Sequence, residues 1–170
     1  AMSFASMLRG LVSAEVRFVV VGGLAGTAHG SGRITYDLDT CYDLAAENVE
    51  RLAVLLAGWD GYPRGTEPGL PFFMDLRQFR TTPVMTLTTS EGYLDVLDRI
   101  VAVGGYAEAL AQSAGFTGFD VTFRVLDLPA LIAAKRATGR RKDADHLPEL
   151  EALLAYRERS ASNDGGKGLL

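Results

Sequence analysis

Val19-Val20-Val21-Gly22-Gly23, followed after a spacer of thirteen residues by Asp37-Leu38-Asp39, is the stretch that decides how this chain is read. Val16 to Val21 is too short and too β-branched for a helix and reads as a buried strand. Gly22 and Gly23 stop it. Leu24 to His29 has room for about two turns of helix, which Gly30 and Gly32 are placed to end. Tyr36 to Tyr42 then reads as a second strand. Side chains alternate along a strand, so Asp37, Asp39 and Cys41 share one face and Leu38 and Thr40 the other.

Two aspartates at positions i and i+2 of a strand lie with their Cα atoms roughly 6.5 Å apart and repel each other unless a cation sits between them. Hard divalent ions such as magnesium take oxygen ligands and keep substrate phosphate in their shell. Gly22 and Gly23 supply the complementary half. Backbone N–H groups at a helix start attract phosphate, and glycine lets it approach without side-chain obstruction. A third carboxylate on a neighbouring strand would complete a two-metal arrangement. Val84 to Thr88 and Tyr93 to Leu97 are β-favouring runs joined by Thr89-Ser90-Glu91-Gly92, a hairpin turn that places Asp95 in the second arm. Tyr93 and Leu97 share its face, and Leu94 and Val96 point to the core.

Working outward, Phe4 to Ala14 repeats apolar residues at helical spacing, as does Ala45 to Leu56. Gly58 to Pro71 is broken by glycine and proline and is expected to be a lid-like segment. Phe72 to Phe79 is expected to be a short helix. Tyr106 to Gln112 reads as helix and Phe119 to Leu126 as strand. Asp127 can cap a helix with Pro129 in its first turn and Gly139 at its end. A last helix is expected from about Asp143 to Arg159, with Pro148 tolerable only in its first turn. These elements make one domain over 1–159, with a catalytic core at 16–98, a helical C-terminal part at 105–159 and a flexible tail at 160–170.

The 170 residues carry a net charge of −4, 48% hydrophobic and 22% charged residues, and one cysteine. That composition is globular. No apolar run reaches the roughly 20 residues of a membrane helix, and a soluble, cytoplasmic protein is expected. Cys41 alone excludes an internal disulfide and a cysteine-rich zinc site. The negative charge gives no long-range attraction for nucleic acid.

Gly22-Gly23-Leu24-Ala25, His29-Gly30, Arg33, Thr35 and Asp37-Leu38-Asp39 together resemble the signature of the polymerase-β-like nucleotidyltransferase superfamily, in particular its small bacterial branch near the AbiEii-type toxin nucleotidyltransferases. Glu91-Gly92-Tyr93-Leu94-Asp95 is similar to the hairpin of that branch, and Lys135 with Arg140-Arg141-Lys142-Asp143 and Asp145 to its late basic helix. The resemblance implies an α/β (α+β) nucleotidyltransferase fold, a short mixed sheet flanked by helices with a helical C-terminal part. It implies transfer of a nucleoside monophosphate from a nucleoside triphosphate to an acceptor hydroxyl with two Mg2+ ions. Asp37, Asp39 and Asp95 would be the catalytic and metal-binding residues, and Gly22, Gly23, Arg33 and Lys135 the phosphate contacts. The acceptor could be RNA, protein or a small molecule, and a toxin with a partner antitoxin protein is one form of the branch. Many superfamily members have serine where this chain has Gly23. Two other readings stand beside this one: a non-catalytic nucleotide- or protein-binding module on the same fold, and an antibiotic-modifying enzyme.

Other features have plainer readings. A dinucleotide fingerprint fails because Val21 stands where its first glycine belongs. His29 reads as a packing residue, Trp59 as an edge of the core, Cys41 as a small buried residue. The cations from Lys135 to Lys142 suit a helix end.

Overall fold

The computed structural model describes residues 3–67 and 76–164. Helix α1 (Phe4–Ser13) starts at Ser3, whose hydroxyl accepts from the Ser6 N–H, and it buries Met7, Leu8 and Leu11. β1 (Phe18–Val21) runs directly into α2 (Gly22–Ala28), so the two glycines form the first turn of that helix. β2 (Asp37–Tyr42) and α3 (Ala46–Gly58) follow as expected. After a two-residue strand β3 (Tyr62–Pro63) come α4 (Leu76–Thr81) and the hairpin β4 (Val84–Thr89) and β5 (Gly92–Leu97). The first part of the expected helix at Phe72 and the end of the expected lid at Pro71 lie outside the described residues.

Small strands β6 (Arg99–Ile100) and β7 (Gly104–Gly105) pair with each other, ahead of α5 (Tyr106–Ala111). β8 (Ser113–Gly118) and β9 (Val121–Leu126) form a second hairpin, and α6 (Leu128–Thr138) and α7 (Arg141–Asp164) complete the described chain. Asp127 caps α6 through the Ala130 N–H, and Gly139 ends it with a φ of +62°, as the sequence predicts.

Among the described residues, seven strands make one mixed sheet in the order β3-β4-β5-β2-β1-β9-β8. β1 pairs antiparallel with β2 and parallel with β9, and β2 pairs parallel with β5. Thus β8 and β9, within the C-terminal part expected to be helical, extend the same sheet as β1, β2 and β5. One face of the central strands presents Leu38, Met85, Leu87, Leu94 and Val96, all buried in a single cluster with Leu8 of α1, Leu52 of α3 and Phe79 of α4. Trp59 belongs to the margin of this core and lies against Gly10, where a Cβ would meet its ring at 2.3 Å. No described helix is long and apolar enough to cross a membrane.

Two expectations at the C-terminus are corrected. α7 starts at Arg141, which puts Pro148 inside the helix beyond its first turn. A proline there lacks the N–H that would bond the carbonyl one turn back. The loss is offset by docking on both sides of it, since Asp143, His146 and Leu150 are buried. The helix also continues through Asp164, into the segment expected to be a flexible tail; residues 165–170 lie outside the described residues.

Candidate active site

The opposite face of the sheet carries the carboxylates. In the parallel register of β2 and β5, Asp39 stands beside Asp95 and Asp37 beside Tyr93. β1 closes the other flank, with Val21 paired to Asp39, so the chain leaves the strand at Gly22 directly over that carboxylate. Gly22 has a φ of +63°, and a Cβ on it would come within 2.0 Å of Asp39 Oδ2. Only glycine satisfies both demands. The Gly23 N–H donates to Asp39. A Cβ on Gly23 would meet Thr35 Oγ1 at 2.6 Å, so a threonine hydroxyl fills the space where a serine side chain at that position would begin.

Crowding of like charge marks the cluster. Burial, then the neighbouring Asp95 charge and a hydrogen bond with Asp95, push the Asp39 carboxyl up to about 7. Asp95 is raised as well, chiefly by burial, against the pull of a guanidinium. That guanidinium belongs to Arg64, in the turn after β3. Its Nη2 donates to Asp95 Oδ1 at 2.8 Å and to the Leu87 carbonyl at 3.1 Å, and its Nη1 reaches Asp37 Oδ2 at 3.3 Å. The guanidinium lies over the Tyr93 ring, 4.8 Å from its centroid. As they stand, no three His, Cys, Asp or Glu side chains among the described residues are arranged around a common ion. The donor set itself is three carboxylates on adjacent strands, an oxygen-only set that suits a hard divalent cation.

A cationic wall rises on the α6–α7 side. Lys135 Nζ lies 3.2 Å from Asp143 Oδ1, and Arg140 Nε lies 2.7 Å from Asp143 Oδ2. Burial would raise Asp143, but hydrogen bonds from Thr138, Arg140 and Lys135 outweigh it and hold the carboxyl down at about 2. Asp143 therefore positions Lys135, the lysine expected to meet phosphate, together with Arg140. Arg33 donates to the Lys142 carbonyl at 2.8 Å, which ties the loop before β2 to the start of α7. Ser31 and the buried His146 are 2.8 Å apart, and the Gly32 N–H donates to Glu149 at 2.7 Å. His29 is structural, as expected. Its Nε2 donates to the Leu126 carbonyl at 2.7 Å, and Arg157 reaches its Nδ1 at 3.0 Å.

All the sequence-predicted residues, Gly22, Gly23, Arg33, Asp37, Asp39, Asp95 and Lys135, line one cleft of about 970 Å³. Its lining includes the cations Arg33, Lys135, Arg140 and Lys142 and the apolar side chains Val84, Leu97, Ile100 and Val101, with Asp98 and Arg99 among the latter. Ile34 and Tyr36 stand at the rim, 77% and 76% exposed. Sequence reading missed Arg64 and His146 as parts of this assembly, and it named Asp143 within the late basic helix without giving it a role. Arg64 sits in a glycine- and proline-broken stretch that looks like mere loop, and the only available signal was that three clustered carboxylates require a counter-charge.

No family model and no curated protein matches the chain. Solved structures do. A lincosamide antibiotic adenylyltransferase, LnuA, crystallised with lincomycin bound, is similar at a TM-score of 0.57 and 15% identity, over 87% of this chain and 94% of its own. The solution structure of the antibiotic-resistance factor ANT(2'')-Ia is similar at a TM-score of 0.53 and 14% identity, over 95% of each chain. At these identities the likeness establishes architecture and does not single out the small toxin branch. The mixed sheet flanked by helices, with its helical C-terminal end, is the nucleotidyltransferase fold.

Proposed function

We propose that this chain transfers a nucleoside monophosphate from a nucleoside triphosphate to a hydroxyl group of a small acceptor. The observation that carries the reading is the register of Asp39 beside Asp95, directly under the Gly22 turn and in one cleft with Arg33, Lys135, Arg140 and Lys142. The triphosphate tail lies along Gly22, Gly23, Arg33 and Lys135. Asp37, Asp39 and Asp95 would hold the divalent ions, two of them with the triphosphate in place. Bound there, such ions stabilise the charge of the transferring phosphate and of the departing pyrophosphate.

The reaction forms a bond between the acceptor oxygen and the α-phosphorus and breaks the bond to the β-phosphate bridge. Asp95 takes the acceptor proton, a role suited to a carboxylate whose burial raises its proton affinity. Lys135 and Arg33 orient the leaving pyrophosphate. Positioning of this kind is the main contribution a protein makes to phosphoryl-type transfer.

The apolar part of the cleft lining, Val84, Leu97, Ile100 and Val101, favours an acceptor that is small and partly apolar over a polyanion such as RNA, which needs neutralising charge along its path. The likeness to an adenylyltransferase with lincomycin bound supports the same choice. Incubation with each α-labelled triphosphate, magnesium and a panel of hydroxyl-bearing small molecules is the direct test. Label transfer with pyrophosphate release, lost in Asp39→Asn, is the expected result. Failure of any triphosphate to bind in the presence of magnesium would sink the reading.

A further inference from the structure

Arg64 belongs to none of the phosphate, metal or acceptor groups named so far, yet it is the most heavily engaged cation at the carboxylates. Its backbone N–H donates to the Thr86 carbonyl at 2.9 Å, which fixes the base of the residue on β4. From there the side chain crosses β4 and ends between Asp95 of β5 and Asp37 of β2. Its Nε is buried with no hydrogen-bond partner among the described residues. An orphaned buried donor is costly. The guanidinium is therefore drawn to this position by the two carboxylates, with the Leu87 carbonyl and the Tyr93 ring as secondary supports.

We propose that Arg64 is the resident counter-cation of the carboxylate cluster and competes with divalent ions for Asp37 and Asp95, so that ion binding moves its guanidinium off both. The proposal rests on the reading of the three carboxylates as an ion site. The guanidinium engages Asp37 Oδ2 and Asp95 Oδ1, and so occupies two of the three carboxylates that a shared ion would use. Two cations that use the same carboxylates are coupled antagonistically, and the coupling is reciprocal: whatever affinity Arg64 subtracts from the ion, the ion subtracts from Arg64. The exchange keeps the half-buried carboxylates neutralised before loading and sets a threshold ion concentration for assembly of the site. Tyr93, on the same face as Asp95, receives the guanidinium as a flat stacking surface and changes environment when it leaves.

The test uses the full chain and the metal alone. Free Mn2+ is followed by electron paramagnetic resonance during titration of the wild type, Arg64→Met, Arg64→Lys and Asp39→Asn. Methionine keeps an apolar stem against Tyr93 and removes the charge. Arg64→Met is expected to bind Mn2+ more tightly than wild type by about tenfold, within the usual range for coupled ligands. Arg64→Lys falls between them, and Asp39→Asn loses binding. In the wild type, the Arg64 Nε–H resonance is expected to shift when Mg2+ is added, a readout that needs no variant and that a merely structural ion pair would not give. Equal Mn2+ affinity in wild type and a folded Arg64→Met overturns the role of Arg64 and leaves the ion site standing. An Arg64 resonance that stays fixed while Mg2+ binds does the same. No Mn2+ binding in any variant overturns the ion site and this proposal with it.

Discussion

Thr35 Oγ1 sits in the space that a side chain at Gly23 would enter, 2.6 Å from where its Cβ would be. The two positions are twelve residues apart and meet because the loop after α2 folds back under the helix start. Gly23→Ala is therefore expected to destabilise the protein by about 1–3 kcal/mol through overpacking. Adding Thr35→Ala should recover part of that loss, since residues in contact are not additive. Urea denaturation of the two single variants and the double variant measures the coupling. Additive effects would show that the contact carries no energy.

Asp95→Asn and Asp37→Asn are each expected to lower the transfer rate by at least about 10²-fold while leaving a folded protein, because both side chains are partly solvent-accessible and tolerate an isosteric amide. Labelled-triphosphate turnover measures the first effect and far-ultraviolet circular dichroism the second. Activity within a few-fold of wild type in Asp95→Asn would remove it from the role of proton acceptor.

The Asp143 carboxyl gives a pH signature. Its folded-state value of about 2 lies below the ordinary value of 3.8. A depressed carboxylate contributes stability above its unfolded pKa, and that contribution is lost as pH falls through the folded one. Roughly 2 kcal/mol should thus disappear between about pH 4 and pH 2, at about 1.4 kcal/mol per pKa unit. In Asp143→Asn the loss over that window should be smaller by the same amount, as denaturation midpoints at stepped pH would show. An unchanged slope would mean that Lys135 and Arg140 do not hold the carboxylate ionised.

The apolar part of the cleft wall can be probed without touching the carboxylates. Val101 and Val84 are 57% and 50% exposed, so Val101→Glu and Val84→Glu should change stability by less than about 0.5 kcal/mol. Each is expected to reduce kcat/KM for a partly apolar acceptor by about tenfold or more. Triphosphate affinity, read by calorimetry, should not move. A change in triphosphate affinity instead would place the nucleotide, and not the acceptor, against this wall.

Much of this site was legible because its parts are periodic. Asp37, Asp39 and Asp95 lie on strands whose alternation is clean, and the buried partners Leu38, Leu94 and Val96 fix which face each carboxylate takes. Asp127 and Gly139 bound α6 by local chemistry alone. What escaped notice depends on contacts between distant segments. β8, with the sequence Ser-Ala-Gly-Phe-Thr-Gly and an exposed edge, is a strand only because β9 pairs with it. β3 has two residues and takes its form from β4. Pro148 violates a local rule that tertiary docking overrides. Arg64 lies more than twenty residues from either carboxylate it binds, and nothing in its immediate neighbours marks it.

The loop from His29 to Arg33 is fastened to α7 at Lys142, His146, Glu149 and Arg157. This loop joins the glycine turn to the aspartate strand, so the geometry of the cleft is underwritten by residues that contribute no reacting atom. A premature stop codon after Gly139 would spare all three carboxylates, both glycines and Lys135. The product would nonetheless have this loop cut loose and, under the proposed function, would be inert, and the lesion would look harmless to anyone who inspected only the motif.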